Sequence, residues 1–138
     1  MRLETMLIIA GALHFGILLA SALVPQVLDW RSELAQLSVL TRQLVWVHGI
    51  FIVLVIIGFG VLTLLNAEAL AGGTPLARCV CGFIAIFWTA RLSLQFFLFD
   101  PAPHVRSVLL RIGHHGLTVA FAYFGLVYGW AALRPEAG

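Results

Sequence analysis

Residues 44–65 read LVWVHGIFIVLVIIGFGVLTLL, a run of 22 positions with no acidic, lysine or arginine side chain. About 20 such residues cross the roughly 30 Å hydrocarbon layer of a bilayer, because a helix satisfies its own backbone polar groups where no water can. The run is therefore read as a membrane-spanning helix, and the rest of the chain is organised around it. Three other stretches share its character: Met6 to Val24 before it, then Cys79 to Phe99 and Val108 to Leu133 after it. The expected fold is all-α, an integral membrane four-helix bundle that forms a single four-span domain over residues 1–138.

Composition points the same way. Of 138 residues 62% are hydrophobic and only 10% charged, against about a quarter charged in a soluble domain. A water-soluble globule is excluded. The net charge of +2 is small and scattered, whereas a nucleic-acid surface needs a clustered basic face. Cys79 and Cys81, one residue apart, cannot staple distant elements and lack the paired spacing of a zinc site. No expected span contains Asp or Glu, so a Ser-His-Asp hydrolase is poorly supported, and no Walker-type loop is present.

The connections carry stop signals. Arg2 before an apolar run ending in Ala20-Ser21-Ala22 resembles a cleavable leader. That run exceeds the roughly 7 to 15 residues of a leader's apolar core and holds His14, so it is expected to remain as the first span. Pro25 is expected to stop that helix. Asp29 then caps a short interfacial amphipathic helix over about residues 29–41, carrying Leu34, Leu37 and Leu40 and flanked by Trp30 and Trp46. Residues 66–78, with Gly72-Gly73-Thr74-Pro75, read as a turn-rich loop. Asp100-Pro101-Ala102-Pro103-His104 reads as a stiff turn that makes the third and fourth spans antiparallel neighbours. Four crossings place both termini and the second connection on one side. Arg2, Arg78 and Arg134 there balance Arg31, Arg42 and Arg106 opposite, so the positive-inside rule gives no orientation. The expected location is a bacterial inner membrane.

Polar groups recur in one half of the bilayer. Measured inward from the side of the surface helix at 1.5 Å per residue, His14 lies roughly 16 Å deep, Arg91 roughly 13 Å, His114 and His115 roughly 10 to 12 Å, Gln95 roughly 7 Å and His48 roughly 6 Å. An ionisable group at such depth is a functional hypothesis by default. His104, in the prolyl turn, is expected to be solvated. Trp88, Arg91 and Gln95 fall within about 60° on the third span, and Arg111, His114, His115 and Thr118 within about 100° on the fourth. Gly125 and Gly129 extend that face as a GxxxG pattern for close packing. On the first span Ala12, Gly16 and Ala20 form a small-residue stripe nearly opposite His14. With His14 turned inward, that stripe is left for another protomer, giving a homo-oligomer or a larger membrane complex; with the stripe turned inward, His14 itself sits at a subunit contact.

Three functions fit these residues. In the first, His14, His48, His114 and His115 supply imidazole ligands from separate helices to haem b or a metal ion, for redox or electron transfer. The layout is similar to that of small cytochrome b-like membrane proteins, with no family motif to carry residues across. In the second, Trp88, Arg91, Gln95, Arg111 and Thr118 form the wall of a site for a lipid-soluble anionic or quinone-like molecule, with a histidine as acid or base. In the third, the same groups line a transport or proton-relay path, or meet an assembly partner. Across all three the common partner is the lipid bilayer.

Overall fold

The computed structural model describes residues 2–27, 29–97 and 108–134, with side chains described over 2–23, 29, 31–97 and 111–134. The chain is all-helical: α1 Leu3–Val27, α2 Trp30–Ala35, α3 Val39–Leu65, α4 Ala67–Ala71, α5 Pro75–Phe97 and α6 Val108–Leu133. Helices α1, α3, α5 and α6 are each long and apolar enough to cross a membrane. The four expected spans are all present, and α6 has the expected bounds.

Helix ends differ from expectation where capping chemistry decides. Pro25 does not stop α1, which runs on to Val27. Proline withholds one N–H from the carbonyl four residues back, and a last turn tolerates that loss. The surface helix is shorter than expected. Asp29 stands at its N-cap position with φ 52° and no side-chain cap bond, and α2 ends at Ala35. Leu40, assigned from sequence to the surface helix, belongs to α3, because Ser38 caps a new helix by accepting Thr41 N–H at 3.2 Å. Residues 66–78 are not simply a loop. Asn66 closes α3 by donating its side-chain amide to the Leu62 carbonyl at 2.9 Å, and α4 follows with Ala67 and Leu70 buried. Gly73 takes the left-handed φ of 77° that the turn requires. Pro75 then opens α5, with Thr74 Oγ1 accepting the Ala77 N–H at 3.2 Å.

Packing runs in the order α3, α1, α6, α5. The closest pair is α5 with α6, then α1 with α3, while α1 also meets α6 and α4; α3 and α5 scarcely approach. Because lipid is as apolar as leucine, such contacts depend on close fit and polar bonds rather than on exclusion of water. The α1/α3 crossing shows this. A Cβ on Gly11 would lie 2.9 Å from Leu64 Cγ, and one on Gly60 would lie 2.8 Å from Phe15 Cε2. Gly125 serves α5/α6 likewise, its notional Cβ 3.0 Å from Thr89 Oγ1, whereas Gly129 faces open space. Arg78 of α5 donates to the Ala132 carbonyl at 2.8 Å, and Tyr123 of α6 donates to the Met6 carbonyl at 2.9 Å. His14 is fully buried while Ala12, Gly16 and Ala20 lie on the exposed face of α1. Arg2, Glu4, Glu68 and Arg134 line one depression, so the start of α1, the second connection and the end of α6 meet at one end of the bundle.

Candidate functional site

Among the described residues the buried polar side chains are His14, Thr63 and Gln95. Among the described residues no buried side-chain nitrogen or oxygen lacks a hydrogen-bond partner. His14 is held at both ring nitrogens. Its Nδ1 lies 2.7 Å from the Ala10 carbonyl, and its Nε2 lies 2.9 Å from Trp88 Nε1. A carbonyl only accepts and an indole N–H only donates, so the proton is on Nδ1 and Nε2 accepts. The imidazole stacks on Phe124 at 4.1 Å between centroids and meets Phe59, Trp88 and Tyr128 at their edges. One turn further along, Tyr128 Oη and Thr63 Oγ1 share a hydrogen bond of 2.8 Å. This centre joins α1, α3, α5 and α6.

Trp88 separates that centre from a half-open cleft of about 550 Å³. Ile17 and Ser21 of α1, Ile52 and Ile56 of α3, and Leu117 and Phe121 of α6 border it. From α5 it receives Phe83, Phe87, Trp88 and Arg91. The Arg91 guanidinium carbon sits 5.6 Å from the centre of the Phe121 ring, within cation–π range. Helices α3 and α5 make little backbone contact beside the cleft. Phe59 of α3 packs on two of its lining rings, Phe87 at 5.2 Å and Phe83 at 6.1 Å. Among the described residues Arg91 is the one charged group on the lining, and the other lining groups are apolar apart from Ser21 and the indole.

The expected site residues separate into three groups. Trp88 and Arg91 border the cleft together. Gln95 does not line it; its amide donates to Thr118 Oγ1, which donates to the His114 carbonyl at 2.9 Å. Helical geometry explains the split: Gln95 is about 20° from Trp88 around α5, whereas Arg91 is about 60° away on the flank toward α3. The third group lies apart. His48 is exposed and donates from Nδ1 to the Leu44 carbonyl at 2.8 Å. His114 is half-buried, His115 and Arg111 are exposed, and the two imidazole centroids are 5.6 Å apart. Among the described residues, no three His, Cys, Asp or Glu side chains gather as a metal-binding set. The prolyl turn with His104 and Arg106 lies outside the described residues.

Sequence reasoning missed the Phe124 stack, the Thr63–Tyr128 bond and the cleft itself. The hydroxyls of Thr63 and Tyr128 were visible signals, since a polar group in a span needs a partner. Comparison with protein-family models, curated proteins and solved structures finds no match.

Proposed function

We propose that the chain is a membrane-embedded binding protein for a lipid-soluble molecule with an anionic or carbonyl-bearing head, held in the cleft between α3 and α5. One observation carries this reading: Arg91, a guanidinium on a candidate span, stands among the described residues on the wall of a mostly apolar, half-open cleft of about 550 Å³. That volume falls inside the roughly 300–1,000 Å³ of small-molecule sites, which pair apolar walls with few polar groups. A guanidinium offers a planar fork of donors suited to carboxylate, phosphate or carbonyl oxygens.

Haem or metal ligation fits the residues less well. For His14 to pair with His115 as an axial ligand through Nε2 the Trp88 bond must open, and the other pair, His48 with His114, has its His48 exposed and bonded through Nδ1 to its own helix. The test begins with protein purified in mild detergent. Its absorption spectrum is recorded before and after dithionite, and copurifying amphiphiles are extracted for mass spectrometry. Expected is a colourless protein carrying a lipid-soluble molecule that Arg91→Leu loses. A Soret band, or equal retention by Arg91→Leu, overturns the reading.

A further inference from the structure

Resting on the reading of the cleft as a ligand site, we propose that His14 is a positioning residue for it: from behind the lining, it fixes the orientation of the Trp88 indole that forms the wall. His14 is fully buried on α1 and does not border the cleft, whereas Trp88 does. The two are joined by the bond from the indole N–H to His14 Nε2 at 2.9 Å.

Two kinds of contact hold the indole, and one of them has a direction. Phe121 stacks on it at 5.1 Å between centroids and 22° between planes, and Phe124 lies at 4.9 Å and 40°. Ring contacts of this kind set a plane. The torsion that turns an indole about its stem is roughly two-fold, so a half-turn keeps the plane while exchanging the N–H side with the fused-ring side. The outline that Trp88 offers the cleft changes with it. A hydrogen bond to a fixed acceptor selects one of the two orientations.

The acceptor is itself fixed. His14 donates its Nδ1 proton to the Ala10 carbonyl of its own helix at 2.7 Å, and its ring stacks on Phe124 at 4.1 Å. Nε2 is left as the lone-pair nitrogen facing α5. Without that lone pair the indole N–H is unpaired in a membrane interior, which is costly enough to turn the ring toward another acceptor. An occupant then binds only the chains whose wall is in place, and its apparent affinity falls by that fraction.

The test uses a protein with Trp30, Trp46 and Trp130 replaced by Phe, so that Trp88 alone is read. His14→Phe keeps a ring on Phe124 without an acceptor, and His14→Gln supplies an amide oxygen without a ring. Nuclear magnetic resonance of nitrogen-labelled tryptophan reads the indole N–H with no ligand present. One downfield signal is expected for the parent and for His14→Gln, and an upfield-shifted, split signal for His14→Phe. His14→Asn, whose shorter amide does not reach Trp88, is expected to follow His14→Phe and carries the contrast should the phenyl variant not fold. Binding is read with tritiated stearate, a lipid-soluble carboxylate. His14→Phe is expected to weaken it about tenfold, as one unpaired donor implies, while His14→Gln stays close to the parent. In Trp88→Phe, which has no N–H to orient, adding His14→Phe is expected to weaken binding no further. A single, unshifted indole signal in both His14→Phe and His14→Asn overturns the positioning role, because the ring then needs no acceptor. A further loss when His14→Phe is added to Trp88→Phe overturns it too, because His14 then acts by packing alone. If the parent binds no stearate and nothing lipid-soluble copurifies, the ligand site falls, and the indole signals alone decide whether His14 orients Trp88.

Discussion

His14 is the residue at which sequence and structure differ most in meaning. Its depth was legible from the apolar run around it, but its facing was not, because the small-residue stripe opposite it competed for the interior and only the structure shows His14 fully buried. Its role was not, because the deciding partner is Trp88, 74 positions away, and spacing along one helix says nothing about how a neighbouring helix is rotated. A buried imidazole with an acceptor nitrogen and an indole with a donor satisfy each other. Removing either leaves the other unpaired, which costs about 1–3 kcal/mol. A double-mutant cycle on His14→Phe and Trp88→Phe, read by unfolding in mixed micelles, is expected to give a coupling near 0.6 kcal/mol and below about 1.7 kcal/mol. Additive effects would show that the two side chains act independently. Tyr128→Phe is expected to cost less, under about 1 kcal/mol by the same measurement, because Thr63 can turn its hydroxyl to its own helix. Gln95 illustrates the same limit: its polarity and depth were readable, but only the α5/α6 interface reveals that its amide is spent on Thr118.

Elements were more legible than their edges. Four apolar runs gave four spans, since length and hydropathy suffice where backbone groups must bond internally. The edges turned on single caps, with Ser38 starting α3 and Thr74-Pro75 starting α5. The pairing of α1 with α3 was not readable, because Gly11 and Gly60 look like any glycines in glycine-rich spans. The structure makes them a crossing point with no room for a side chain. Gly60→Leu is expected to destabilise the protein by about 1–3 kcal/mol through overpacking, seen as a lower Tm in detergent. Gly58→Ala, on the same helix with nothing within 4 Å of its notional Cβ, is expected to leave Tm unchanged or slightly raised. Equal behaviour of the two variants would place the crossing elsewhere.

At the scale of the whole molecule, the start of α1, the second connection and the end of α6 meet at one end, as four crossings require. Compartment reporters fused to the N- and C-terminus are expected to read the same side, and opposite readings would break the four-span topology. The cleft was not legible at any smaller scale, since residues of α1, α3, α5 and α6 border it together. A brominated long-chain carboxylate is expected to quench Trp88 emission in a protein whose other tryptophans, Trp30, Trp46 and Trp130, are replaced by Phe. Emission unchanged at saturation would leave Trp88 outside the ligand site. The ring contact also makes the molecule lopsided: Phe59 of α3 seals against Phe83 and Phe87 of α5, so a lateral push on α3 is transmitted to α5 through three aromatic rings at one level and through no comparable aromatic seam beyond them among the described residues.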